Sequence, residues 1–287
     1  VETEKRVSAA DGTVKVLLRF TDGASAESVV MAHKGRISVC LSSQSGCACG
    51  CRFCATGAGG LKRDLSSEEI MCQFALCRRE AGREIYSLVF MGMGEPLLNW
   101  AAVKKAILEL SDQKGCDLPQ SRMTVSTVGI VPVMRELAES ELKVRLALSV
   151  VTADEEQRAA LVPMEARYPL REALAAARYY SEKKKRTVFL EYILFGGLND
   201  SPEHALKLAA MLSGMDCTVN LIRYNQPGPG PVSENFSPTP VPAAKSFQRT
   251  LMAAGIRTYM RRETGADIGA ACGQLAGAPP AGLYPPR

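Results

Sequence analysis

The residues best able to do chemistry are ten cysteines, at positions 40, 47, 49, 51, 54, 72, 77, 116, 217 and 272, and the first five fall within fifteen residues. The stretch Cys47-Ala-Cys-Gly-Cys51-Arg-Phe-Cys54 embeds the spacing C-x3-C-x2-C. Thiolates at Cys47, Cys51 and Cys54 can wrap one face of a cubane, because iron–sulfur clusters take cysteine ligands. No fourth ligand is evident in the motif, so one iron stays open. An open iron is what is needed to hold the amino and carboxylate groups of S-adenosylmethionine (SAM). Cys49 disturbs neither spacing and reads as a passenger. A structural zinc site is the alternative, but zinc wants four ligands in a closed tetrahedron, and Cys47, Cys49, Cys51 and Cys54 are crowded for one.

The rest of the composition narrows the classes. The chain has 287 residues, enough for one large domain or two small ones. A disulfide framework belongs to small secreted chains, and the polar opening Val1-Glu2-Thr3-Glu4-Lys5 is no secretory signal. In a reducing compartment a cysteine cluster points to metal or redox chemistry. No apolar run is long enough to span a bilayer, so the expected location is the cytoplasm, without membrane. With only His33 and His204 present, a catalytic His–Asp system or a His-rich zinc site is hard to build. The net charge of +5 suits a nucleic-acid partner without demanding one.

The elements that must position the loop follow a β-then-α rhythm. Residues 13–20 and 26–31 read as a strand pair, turned at Thr21-Asp22-Gly23. Further strands are expected at 36–41, 85–91, 121–127, 143–150, 187–194 and 217–224, apolar without alternation, as strands buried on both faces are. Ser66-Ser67-Glu68-Glu69 is a capping box, and the helix it opens carries Ile70, Phe74 and Cys77 on one face. Helices are expected near 100–112, 131–141, 169–184, 201–214 and 241–255, and an irregular loop at 226–242. Six such units predict an α/β protein whose parallel sheet curls into a partial (β/α)6, TIM-like barrel, with ligand groups at the C-terminal ends of the strands. The expected organisation is an N-terminal β-hairpin extension over 1–34, then the barrel with a C-terminal cysteine segment over 35–287. The final Pro-rich stretch reads as a tail.

Several segments together resemble the radical-SAM superfamily and, within it, the RlmN/Cfr family of 23S rRNA adenine-carbon methyltransferases. They are Cys40-Leu-Ser-Ser-Gln-Ser-Gly-Cys47, Phe53-Cys54-Ala-Thr-Gly57, Phe90-Met-Gly-Met-Gly-Glu-Pro-Leu-Leu-Asn99, Val125-Ser-Thr-Val-Gly129, Val219-Asn-Leu-Ile-Arg-Tyr-Asn225 and Ala271-Cys-Gly-Gln-Leu-Ala-Gly277. The cysteine spacing alone names the superfamily. Cys40 together with the segment around Cys272 names the family. The resemblance implies a [4Fe–4S] cluster on Cys47, Cys51 and Cys54, two SAM molecules per turnover, and an electron donor such as flavodoxin or ferredoxin. It also implies that Cys272 accepts a methyl group from one SAM. A 5′-deoxyadenosyl radical from the second takes a hydrogen from that methyl, the carbon adds to adenine, and Cys40 releases the product by forming a disulfide with Cys272. Glu27 matches the family's proton acceptor. Gly94, Glu95, Ser126, Ser149 and Asn225 match its SAM contacts, as do Val150 and Val151 through backbone only, because the family's Ser-Leu-His is here Ser149-Val150-Val151.

The implied partner is 23S rRNA, with tRNA as a second substrate, and the implied state is a monomer. The motifs are mixed as to position: Phe53-Cys-Ala-Thr-Gly57, Gly60-Leu-Lys62 and Leu221-Ile-Arg-Tyr-Asn225 look like Cfr, and Glu95-Pro-Leu-Leu-Asn99 like RlmN. C2 of adenine is the expectation and C8 the alternative. The family's usual helical N-terminal domain is not matched here. A radical-SAM enzyme with another substrate, and a non-catalytic RNA-binding relative with a structural metal, are the rival readings. Without the resemblance, Gly94 and Glu95 read as a tight turn with a solvated carboxylate, and Cys72, Cys77, Cys116, Cys217 and Cys272 as small buried hydrophobes. Lys183-Lys184-Lys185-Arg186 and Arg261-Arg262 are basic clusters able to meet phosphate, with a solvated helix end the plainer reading of the first.

Overall fold

The computed structural model describes residues 1–227, 232 and 236–277, which divide into two units. Of the irregular loop expected at 226–242, residues 228–231 and 233–235 lie outside the described residues, as does the final Pro-rich stretch.

The first unit takes Val1–Met123, with Pro227, Val232 and the chain from Thr264. Strands β1 (Glu2–Val7), β2 (Val14–Arg19), β3 (Ser25–His33) and β4 (Arg36–Cys40) pair antiparallel in that order. The turn between β2 and β3 falls where Thr21-Asp22-Gly23 places it, with Gly23 at φ 82° and the Asp22 carboxylate accepting the Ala24 N–H at 3.0 Å. β1 escapes pattern reading because it is an almost wholly exposed, charged edge strand with no buried face to imprint alternation. β4 then turns the sheet parallel. Beyond it come the short strand β5 (Gln44–Gly46), α1 (Ala55–Ala58), β6 (Leu61–Asp64), α2 (Ser67–Ala81), β7 (Ile85–Phe90) and α3 (Trp100–Ser111). β7 runs parallel to β4, and β5 pairs antiparallel with β6.

Helix α2 forms as its sequence dictates. The Ser66 hydroxyl accepts the Glu69 N–H at 3.2 Å, Glu69 reaches back to the Ser66 N–H at 2.9 Å, and Ile70, Phe74 and Cys77 are buried. The same helix buries Gln73, whose amide oxygen accepts the Ser42 N–H at 2.9 Å and whose nitrogen donates to the Ser42 carbonyl at 3.0 Å. That pair of bonds anchors the chain between β4 and the cysteine loop.

The second unit takes Thr124–Gln226 with Ser233–Glu263. Its strands are β8 (Met123–Thr127, whose first residue belongs to the first unit), β9 (Arg145–Val151), β10 (Val188–Leu194), β11 (Cys217–Arg223) and β12 (Thr258–Met260). They pair parallel in that order. Between them lie α4 (Val131–Glu139), α5 (Glu155–Leu161), α6 (Leu170–Lys184), α7 (Pro202–Met211) and α8 (Val241–Ala253). Leu146, Ala147 and Leu148 on β9, Leu190, Glu191 and Tyr192 on β10, and Cys217, Thr218 and Val219 on β11 are buried in succession, the signature of a sheet covered on both faces. The α/β class expected from the sequence is the class found. Among the described residues no helix is long and apolar enough to cross a membrane.

Candidate functional site

The cysteine loop belongs to the first unit and is tied at its base by β5 and β6. Cys47 N–H donates to the Gly60 carbonyl at 3.0 Å, and Cys54 N–H to the Cys51 carbonyl at 3.1 Å. Two glycines are forced by these closures. A Cβ on Gly46 would stand 1.9 Å from the Gly60 oxygen, and one on Gly57 would stand 2.9 Å from the Cys51 nitrogen. A hydrogen bond with the Cys49 thiol holds the Cys47 thiol below its usual range and pushes Cys49 up, while burial pushes Cys54 up. Among the described residues no three His, Cys, Asp or Glu side chains gather around one point as ligands of a single ion would. A cubane asks for a different set, one thiolate at each of three corners. Cys47, Cys51 and Cys54, all on one pinned loop, supply that donor chemistry.

The segment after β7 packs directly under this loop's entrance. Met93 N–H donates to the Ser42 hydroxyl at 2.8 Å, the Met93 carbonyl accepts Ser43 N–H at 2.9 Å, and Glu95 N–H donates to the Gln44 side chain at 2.9 Å. Gly94, at φ 95°, has no room for a side chain, since a Cβ would stand 2.5 Å from that of Gln44. The close approach it permits in this structure is to the Gln44 side chain. Glu95 is not a solvated turn carboxylate. It is buried, caps the Leu97 N–H at 3.0 Å, and its charge opposes ionisation of Cys47 and Cys49. An acidic group is therefore held beside the thiols.

The chain around Cys272 docks onto the same loop. Ala55 N–H, next to Cys54, donates to the carbonyl of Gly273, next to Cys272, at 2.8 Å. The Thr56 hydroxyl donates to the Leu275 carbonyl at 2.6 Å. Cys40 is buried in a small apolar cluster with Val29, Met93, Ala270 and Leu275. Residues on both sides of Cys272 thus pack against Cys40. None of the ten cysteines is in a disulfide, and Cys272 is half-buried, unlike a core hydrophobe. Cys77 and Cys217 are buried as expected of small hydrophobes, whereas Cys72 and Cys116 are half-buried. Glu27 is buried rather than a surface strand carboxylate. It pairs with Lys15 at 3.0 Å and accepts the N–H groups of Ala276 at 2.9 Å and Gly277 at 3.3 Å.

In the second unit Ser126 and Ser149 sit at or near the C-terminal ends of β8 and β9, both half-buried, and Asn225 is buried just beyond β11. The end of β9 is held by Arg158 of α5, itself fully buried and paired with Glu165. Arg158 donates to the carbonyls of Val150 at 3.0 Å, Ser149 at 3.2 Å and Val128 at 2.8 Å. Val151 stands at φ 69°, an unusual conformation for a β-branched residue. The sequence reading missed a polar row here. Ser149, Glu191 and Asn220 are in register across β9, β10 and β11, Asn220 donates to Glu191 at 2.9 Å, and Arg261 reaches Glu191 at 3.5 Å. The available signal was a lone glutamate inside the apolar run of β10. Arg261 is therefore spent on Glu191. Lys183 is spent on Glu139 at 3.0 Å, as a helix-end lysine would be. His204 lies in the first turn of α7, its ring 2.8 Å from the Ser201 hydroxyl.

The chain is similar to known proteins over most of its length. Residues 41–209 match the Radical SAM superfamily. The chain is 44% identical over 272 residues to the "Probable dual-specificity RNA methyltransferase RlmN" of Desulforudis audaxviator, covering 95% of this chain and 84% of that one. It is 43% identical over 266 residues to the dual-specificity RNA methyltransferase RlmN 1 of Myxococcus xanthus, covering 92% and 73%. The crystal structure of a radical SAM methyltransferase from Sphaerobacter thermophilus superposes with a TM-score of 0.91 at 40% identity, over 96% of this chain and 82% of that one.

Proposed function

The chain belongs to the radical-SAM superfamily and, within it, to the RlmN family of RNA methyltransferases, and from that premise we propose that it methylates C2 of an adenine in 23S rRNA, and in tRNA, with Cys272 as methyl carrier and Cys40 as resolving thiol. The carrying observation is the hydrogen bond from Ala55 to Gly273, which sets the residue after Cys272 against the residue after Cys54. Cys47, Cys51 and Cys54 would hold the [4Fe–4S] cluster, and Glu95 with Gly94 the methionyl end of SAM. Ser126, Ser149, Asn225 and the backbone of Val150 and Val151 are the further SAM contacts. Bound there, the cluster supplies, from a flavodoxin or ferredoxin, the electron that cleaves SAM and so a radical able to take hydrogen from an unactivated carbon.

The chain's own residues do the rest. The Cys272 thiolate attacks the methyl carbon of one SAM, forming the sulfur–carbon bond of methyl-Cys272 as S-adenosylhomocysteine is displaced. Once that methyl carbon is joined to the adenine ring, the adduct gives up its unpaired electron to the same flavodoxin or ferredoxin, and Glu27 takes the proton lost from the ring carbon. The Cys40 thiolate then attacks the Cys272 sulfur. A Cys40–Cys272 disulfide forms as the sulfur–carbon bond breaks, and the electron pair stays with the carbon, which is protonated to the new methyl group. The shared apolar cluster of Cys40, Ala270 and Leu275 favours this exchange by keeping the two segments adjacent and dry.

The test is anaerobic reconstitution with iron, sulfide, SAM and reductant on protein-free 23S RNA, followed by mass spectrometry of nucleosides. The expected product is 2-methyladenosine, absent in Cys272→Ala. Finding 8-methyladenosine would move the position. Finding 5′-deoxyadenosine without any methyladenosine would remove RNA as the substrate.

A further inference from the structure

The chain around Cys272 has almost no regular structure. A single turn of 3-10 helix, Ala266–Ile268, precedes it, and no described strand or helix follows. Such a segment is held by whatever bonds reach it from elsewhere. Lys15 on β2 and Glu27 on β3 lie diagonally across one antiparallel pair, with Lys15 opposite Val29 and Leu17 opposite Glu27. Their side chains are only 11% and 5% exposed and meet at 3.0 Å. Neither charge is satisfied by the other alone. The Lys15 ammonium also donates to the Gly269 carbonyl at 3.2 Å. The second oxygen of Glu27 accepts the N–H groups of Ala276 at 2.9 Å and Gly277 at 3.3 Å. One buried ion pair therefore grips the chain at both ends of residues 269–277, with Cys272 between the grips.

Both grip points are turns that need glycine. Gly269 sits at φ 64° and Gly277 at φ 79°, and a Cβ on Gly277 would stand 2.8 Å from the Met93 methyl. Bonds from charged groups to backbone are stronger than neutral ones, and removing one member of a buried pair strands the other. A carrier thiol must accept a group, present it and give it up. A loop held by a few strong bonds and one small apolar cluster can do so by opening locally while the fold stays closed.

We propose that Lys15 is a positioning residue: through Glu27 at one end and the Gly269 carbonyl at the other, it sets the docking of the Cys272 loop. The consequence for turnover rests on Cys272 being the methyl carrier. The docking does not.

The test uses the full chain with Lys15→Met and Lys15→Arg. Amide hydrogen exchange is followed by mass spectrometry over 270–277 and over β7, and Cys272 alkylation by iodoacetamide is followed on its peptide. In Lys15→Met, exchange over 270–277 and alkylation of Cys272 should both rise on the order of tenfold, the effect of unpairing one buried charged group, while β7 stays as it was. Lys15→Arg should return both toward wild type. Unchanged exchange over 270–277, or an equal rise in β7, overturns the proposal. If the loop readouts move as stated but Cys272→Ala still makes methyladenosine, the clasp stands and the carrier reading falls. If methylation is intact and the loop readouts do not move, the clasp alone falls.

Discussion

Two regions carry the chemistry-bearing residues, and they are held in opposite ways. In the first unit the Cys272 segment is held by individual bonds, Lys15 and Glu27 at its ends and Ala55 and Thr56 against its middle, and by a small apolar cluster that takes Ala270 and Leu275. In the second unit the end of β9 is fixed from inside, by an Arg158 that has no solvent exposure and spends its guanidinium on Glu165 and three carbonyls. On the proposed function, the difference follows from what each must do. Groups that only bind are best placed by interior networks that cost much to disturb. A group that makes and breaks covalent bonds is best placed by contacts that can be released one at a time.

The largest expected effect comes from breaking the rigid side of this contrast. Arg158→Met leaves Glu165 buried without its guanidinium partner and removes one charged donor from each of the carbonyls of Val128, Ser149 and Val150. A loss of about 3–5 kcal/mol is expected, read as a lower urea midpoint. The double variant Arg158→Met with Glu165→Leu should recover much of it, because the cost lies in the stranded charge. If the single variant loses less than the Ser66 variant described below, the β9 end is not held as stated.

The next effect probes the loop side. Gly46→Ala sets a methyl group against the Gly60 carbonyl and forbids the β5–β6 closure beneath the cysteines. A cost of roughly 1–3 kcal/mol is expected. It should appear mostly as iron bound per chain after reconstitution, with secondary structure by circular dichroism preserved. A variant that binds iron as well as wild type would show that the closure does not shape the cluster loop.

Smaller still is Ser66→Ala, which removes the hydroxyl that accepts the Glu69 N–H at the start of α2. A cost of about 1 kcal/mol is expected from equilibrium denaturation. Since α2 also anchors Ser42 through Gln73, iron binding should fall less than in Gly46→Ala.

These elements differ in how far the sequence discloses them. The six long parallel strands are legible because each buries both faces, and α2 because its capping box and apolar face agree. β5, β6 and β12 are three or four residues long and held by position rather than by any apolar pattern. The helix α5 is seven residues long, too short to show a period, although Asp154 with Glu155 and Glu156 marks its start. Cys47, Cys51 and Cys54, proposed to hold the cluster, are legible because they lie within eight residues of one another along the chain. That Cys40 lies against the chain around Cys272 is a long-range fact, implied by resemblance and visible only once folded. Lys15 is illegible altogether, because its partners are a carboxylate across a strand pair and a backbone carbonyl far down the chain.

The smallest effect separates charge from geometry at that short helix. The Asp154 carboxylate accepts the Gln157 N–H at 3.0 Å and pairs with Lys207 at 2.6 Å. The hydrogen bond from Gln157 first, and Lys207 second, hold its pKa below the ordinary aspartate range. A group whose folded pKa is depressed adds stability that is fully present above its unfolded pKa, near 3.9. That stability is lost as pH falls through the folded value. Asp154→Asn keeps a good capping residue and removes the charge. Above about pH 5 the variant should therefore be slightly less stable than wild type, by less than Ser66→Ala costs. Below the folded pKa the two should converge. Denaturation midpoints measured across the acid range check this. A gap that persists unchanged into the acid range would mean that the asparagine disturbs the cap itself, and that the carboxylate's charge is not what starts α5.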